Sequence, residues 1–211
     1  MSEFPDVPEL SYVSCVTASL HDEDTVYATF DDHKSGTFTP YVLKSTDRGR
    51  TWTSIAGNLP ERHIVYSIRQ DHDRPELLFV GTEFGAFFTI DEGENWIELT
   101  SGIPTIAVRD VDIQRRENDV ALGTFGRGFY ILDDYSPLKH ISTETLEAPA
   151  TIYPVRRAIS YVQTSKGRGS QGASYYSAPN PAYGATITYS LGESIKSAAR
   201  AAHDEAEKAR D

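Results

Sequence analysis

A single cysteine among 211 residues, Cys15, has no partner for an internal disulfide, and with no activating neighbour in sequence it reads as a small core residue in a strand. Positive charge is scarce: 20 Lys and Arg stand against 31 Asp and Glu, a net charge of -11. A phosphate backbone needs clustered cations to neutralise it, so nucleic acid is not an expected partner, and the diffuse acidity reads as a solubility feature. No apolar run approaches the roughly 20 residues of a membrane helix, so membrane insertion is not expected. The opening MSEFPDVPEL lacks the basic and apolar regions of a signal peptide, which carries little weight for a piece of a longer chain.

Chemical signatures are equally sparse. There is no G-x-S-x-G elbow, no H-E-x-x-H and no paired C-x-x-C. Gly167 to Gly172 spells G-x-G-x-x-G, but a dinucleotide fingerprint needs a helix after it and an acid roughly 20 positions on. ASYYSAPNP follows instead, and Asn180 to Tyr189 contains no acid. Asp71-His72-Asp73 could suggest a metal, yet it lies in a tight turn before Arg74-Pro75-Glu76 and reads as a solvated loop. No cofactor and no metal are expected.

What the sequence does hold is a repeat. STDRGRTW (Ser45 to Trp52) returns as TIDEGENW (Thr89 to Trp96), with Asp47 and Asp91 44 residues apart. A weaker copy, ILDDYSPL, places Asp133 a further 42 residues on. Around each copy lie four short β-rich runs separated by Gly, Pro, Asp and Asn, clearest in IVYSIRQD, LLFVGTE, GAFFTID and NWIELT. The third repeat reads VRDVDIQ, DVALGTF, RGFYILDD and LKHIS, and the first carries a longer insertion, DDHKSGTFT. Periods of this size mark consecutive four-stranded blades, here about 12–57, 63–101 and 107–142.

Within the octapeptide every residue has a structural task. Asp47 and Asp91 accept amides across a hairpin turn, as Asx turns do. Gly49 and Gly93 supply a left-handed backbone, the hydroxyls of Ser45 and Thr89 pin the preceding strand, and Trp52 and Trp96 fold beneath the turn. The third copy has Tyr135 and Leu138 in place of Gly and Trp, and its turn is expected to be looser.

The S/T-x-D-x-G-x-x-W motif resembles the Asp-box, or bacterial neuraminidase repeat, of sialidases, sortilin-type propellers and some oligoxyloglucan-acting glycosidases. LLFVGTEFGAFFTIDEGENWIEL followed by IPTIAVRDVDIQRRENDVALGTFGRGFYILDDYSPL resembles the last blades of large bacterial sortilin-like propeller proteins often labelled glycosyl hydrolases. The resemblance spans about Phe4 to Leu191. It implies an all-β fold: a propeller fragment of about three four-stranded antiparallel blades, then a linker, a strand and a C-terminal helix. It also implies further blades in the parent chain and an extracytoplasmic or secreted setting.

Residues 143–183 read as an extended linker and loop, rich towards the end in Gly, Ser, Pro and Tyr. Residues 184–211 open with ATITYSL, which alternates like a strand, and the resemblance makes it the start of a β-sandwich. The Ala-rich stretch from Glu193 to Asp211 reads as a helix.

Blade topology places the turns between second and third strands on one rim, with the connections to the next blade; the octapeptide hairpins fall on the other. Asp31, Asp32, His33, Glu83 and Arg127 therefore share a rim with Phe84 and Phe125, and charges beside aromatics suit carbohydrate or peptide. Glycoside hydrolysis needs two carboxyl groups flanking a sugar, and sequence places no two of the many acids at that separation. The favoured reading is a non-catalytic scaffold binding protein, peptide or glycan. The alternative is part of a secreted glycoside hydrolase, sialidase-like or acting on a polysaccharide, with its site completed by further blades.

Overall fold

The computed structural model describes residues 4–158, 160 and 183–192. The helix expected over 193–211 and the glycine-rich stretch around Gly167 lie outside the described residues. The chain divides into two compact units, Met1–Ile141 and Ser142–Asp211.

The first unit is a row of antiparallel sheets. Strands β1 (Tyr12–Ala18), β2 (Val26–Asp32), β3 (Thr37–Ser45) and β4 (Thr53–Ser54) form the first in sequence order. Strands β5 (Val65–Gln70), β6 (Leu78–Thr82), β7 (Gly85–Thr89) and β8 (Ile97–Glu98) form the second in the same way. The third has β9 (Val108–Gln114), β10 (Asp119–Thr124) and β11 (Phe129–Leu132) and, among the described residues, no fourth strand. LKHIS is therefore not a strand: Ser136–His140 is a 3-10 turn with Pro137 in its first turn, where a ring without an N–H suits a helical start. The outer edge of β11 is left open to a groove lined by Leu99, Gly102, Ile103 and Ile131.

Sheets are buried on both flanks where they face each other. Tyr27 and Val42 of the first sheet meet Val65, Ile68, Val80 and Phe87 of the second, with Leu59 and Trp96 closing the layer. Leu77, Phe79 and Phe88 on the second sheet's other flank meet Val111, Val120, Leu122 and Tyr135. Cross-strand neighbours point to the same side, so each strand of the middle sheet serves two cores, which is why β6 and β7 are buried at every position. Close approach is built in at Gly81, where a Cβ would lie 2.6 Å from the Val108 carbonyl of the third sheet.

Both full octapeptides make the same network. Asp47 accepts from the amides of Arg50 and Thr51 and from the Thr51 hydroxyl, while Ser45 Oγ donates to Asp47 and accepts from the Gly49 amide. Asp91 accepts from the amide and side chain of Asn95, with Thr89 in the place of Ser45. Gly49 and Gly93 have φ of 80° and 98°, and Arg48 and Glu92 just before them are left-handed too, at 61° and 59°.

The two tryptophans differ. Trp52 donates to Gly49 within its own turn, whereas Trp96 reaches the neighbouring sheet and donates to Ile55 O at 2.9 Å. The third turn is not loose: Tyr135 is 1% exposed, and the bonds within the turn go to Asp134 rather than to the exposed Asp133.

The second unit has helix α1 (Thr143–Glu147), capped by Ser142, and strand β12 (Ala150–Ile152) paired with β13 (Tyr189–Leu191). The stretch expected to be an extended linker thus begins with a helix and a strand, because a Ser142–Thr145 capping box satisfies the first orphan amides.

Candidate functional site

Each innermost strand carries the same irregularity near its start. Register shifts leave Ser14 unpaired between Val13 and Cys15, Tyr66 between Val65 and Ser67, and Arg109 between Val108 and Asp110. A one-residue β-bulge re-aims the extra side chain and recurs next to functional sites. Here the three bulges lie at one rim, where Tyr12 pairs with Asp31, Glu83 N donates to Ile64 O, and Phe125 N donates to Ala107 O.

Two of the re-aimed residues meet. The Arg109 guanidinium lies 3.9 Å from the centre of the Tyr66 ring and 5.5 Å from that of Phe125. Burial pushes the Tyr66 hydroxyl up, against the pull of Arg109, and the carboxylates of Glu83 and Asp31 add to the rise. His63 stands edge-on to Phe84 and Phe87, with ring centres 5.3 Å and 5.6 Å apart. Burial lowers its pKa; Glu98 and Glu83 oppose this. Among the described residues, neither His63 Nδ1 nor the buried Oε2 of Glu83 has a hydrogen-bond partner.

The residues expected from sequence take different parts. Asp31 is clasped by His33, whose Nδ1 stands 2.7 Å and 2.8 Å from its two oxygens and whose amide adds a bond of 2.9 Å. Asp32 is 7% exposed and accepts from Ser35 Oγ, so it serves the 3-10 turn His33–Ser35. Arg127 is exposed between Gly126 and Gly128, both left-handed, and no ion pair among the described residues joins it to Glu83. Tyr66, Arg109 and His63 were not singled out from sequence. A bulge leaves no composition signal; only the shared position of Tyr66 and Arg109 near the start of an inner strand could have marked them.

On the opposite rim, Asp71 is not solvated as its sequence context suggests. It is 0% exposed and accepts from the Tyr135 hydroxyl at 2.5 Å and from the amides of Asp73 and Arg74. Burial alone would raise its pKa, but these donors and Lys139 hold it below the ordinary carboxylate value. Ligand atoms of Asp71, His72 and Asp73 lie within 4.8 Å of one another, yet Lys139 Nζ already stands 3.2 Å from Asp71 and 2.6 Å from Asp73. The cation this cluster holds is an ammonium.

No protein-family model and no curated protein matches the chain. Among solved structures it is similar to a GH74 enzyme of Niastella koreensis, at 18% identity over 58% of this chain and 21% of that one, with a TM-score of 0.46. It is similar also to the GH74 xyloglucanase of Xanthomonas campestris, at 15% identity over 58% and 22% of the two chains, with a TM-score of 0.47. The chain thus spans about a fifth of the length of these neighbours.

Proposed function

We propose that this chain is part of an Asp-box propeller of the sortilin-like kind and works as a non-catalytic scaffold, binding protein, peptide or glycan at the bulged rim. The observation that carries this reading is the bulge repeated in all three inner strands, which lays Arg109 against Tyr66 and near Phe125. A structural irregularity in one strand is an accident; the same one in three, aimed at one rim, supports a shared use of that rim. The octapeptides support the scaffold half, since their side chains are consumed by the turns they close. Further blades of a longer chain would complete the ring.

Glu83 is the residue a hydrolase would use, because its buried Oε2 is desolvated and without a hydrogen bond among the described residues. Asp31, another acid of this rim, is already committed to His33, which favours binding over chemistry. The test is a screen of the protein on glycan and peptide arrays, with Arg127→Ala beside it. Arg127→Ala should weaken capture with an unchanged melting temperature. A fallen melt with unchanged capture makes Arg127 structural, and release of new reducing ends from a captured glycan replaces the scaffold reading with the hydrolase one.

A further inference from the structure

Three cations on the bulged rim lie against rings rather than against acids. Lys34 Nζ is 4.8 Å from the centre of Tyr12, the Arg62 guanidinium is 5.1 Å from that of Phe38, and Arg109 lies against Tyr66 and near Phe125. Among the described residues, none of Lys34, Arg62, Arg109 and Arg127 has a carboxylate oxygen within 4.0 Å. Lys44, Arg48, Arg74 and Lys139 elsewhere are all ion-paired. All four rim cations are exposed.

The rim's acids are arranged the other way. Asp32 is buried, the Asp31 side chain is 10% exposed under His33, and Glu83 is half-buried with Oε2 turned in. Its exposed acids are Glu61, Glu98 and Asp110, the last paired with Arg69. In a chain of net charge -11, this rim turns Asp31, Asp32 and Glu83 inward and its four unpaired cations outward. The acids of the opposite rim, such as Asp22, Asp47 and Asp91, are taken up by turns.

We infer that the ligand of this rim is an acidic polysaccharide, a chain of pyranose rings bearing carboxylates; the inference rests on the binding reading above and names its ligand class. A guanidinium lying over a ring has its edge donors free, the geometry that forks onto a carboxylate. Phe84 and Phe125 are 42% and 69% exposed and offer flat apolar faces to the C–H faces of a sugar ring. Unpaired cations and exposed rings on one rim match a polymer that carries both carboxylates and ring faces. An acidic peptide matches only the cations.

The experiment titrates the full chain with oligogalacturonate, with neutral dextran of similar size and with poly-glutamate, at low and moderate salt. Oligogalacturonate should bind, dextran should not, and raising salt should weaken binding, because exposed charge pairs are screened within about 10 Å at 0.1 M. Arg109→Gln and Phe125→Ala should each weaken it about tenfold, roughly the worth of one charge-assisted or stacking contact. Arg50→Gln on the opposite rim should change nothing. Arg127→Gln, at an exposed loop position, carries the test if Arg109→Gln lowers the melting temperature.

Equal binding of poly-glutamate overturns the polysaccharide and leaves the rim as the binding face. Failure of oligogalacturonate to bind, with array ligands still lost in Arg127→Ala, overturns this inference alone. Oligogalacturonate binding that survives every rim variant and falls with Arg50→Gln overturns both readings.

Discussion

At the scale of the residue, the octapeptide is a case of a carboxylate held charged by its own turn. The Thr51 hydroxyl and amide, then Ser45 and the Arg50 amide, pull the Asp47 pKa down to about 2 against the opposing effect of desolvation. Asp91 is lowered too: burial acts against it, and Thr89 and Asn95 outweigh that burial. A carboxylate whose folded pKa lies below its unfolded value stabilises the fold above the unfolded value, and that contribution is lost as pH falls through the folded one. Thermal stability should therefore drop between about pH 4 and pH 2, and Asp47→Asn should flatten that drop. A melt independent of pH over this range would show that the turn does not need the charge.

Glycines separate the two turns further. At Gly49 an added Cβ meets only the Trp52 ring, at 3.4 Å, while at Gly93 it meets the Ile55 carbonyl at 2.6 Å. Both substitutions strain a left-handed residue, worth about 1 kcal/mol. Gly93→Ala adds a collision with backbone, so it should cost more than about 2 kcal/mol, against about 1 for Gly49→Ala. Chemical denaturation of the two variants checks the order. The same contrast applies to Trp96, 4% exposed and shared between sheets; Trp96→Ala should cost about 3 to 5 kcal/mol through the cavity it leaves.

At the scale of the element, the third blade replaces a hairpin by a latch. The 3-10 turn Ser136–His140 sends Lys139 to Asp71 and Asp73, and Tyr135 just before it sends its hydroxyl to Asp71. Arg74 returns the favour by donating to the carbonyls of Leu138, Lys139 and Ile141. The second sheet's first turn therefore holds the end of the third. Asp71→Ala removes the acceptor that both Tyr135 and Lys139 face and should cost about 3 to 5 kcal/mol, as losing one partner of a buried ion pair does. Tyr135→Phe leaves Lys139 in place and should cost only about 1 to 2 kcal/mol. Equal losses in the two variants would mean that the ammonium contributes nothing to the latch.

At the scale of the whole molecule, the flanks of the sheet row tell which faces are built to be covered. Val65, Ile68, Val108 and Val111 are 0% exposed between sheets, while Val13 and Val16, at the matching register in the first sheet, are 54% and 62% exposed. Phe129 and Ile131 on the far flank of the third sheet are 75% and 47% exposed. Apolar flanks of this kind drive association. Sedimentation should show self-association that rises with concentration and weakens in Val16→Lys. A monomer at every concentration would show that these flanks are tolerated bare.

The all-β class, the repeat and the turn chemistry were legible in the sequence because they depend on local order: a hydroxyl, an acid and a glycine a few residues apart close the same turn wherever they occur. The third blade's missing strand and its buried Tyr135 were not legible, because the partner that stabilises them, Asp71, stands 64 residues away. The bulged rim was only half legible. Turn position gave Asp31, Glu83 and Arg127, while Tyr66 and Arg109 meet through a register shift between strands, and register is decided by which flanks the neighbouring sheets bury. Local sequence determined the blades; packing between them decided which side chains share a surface.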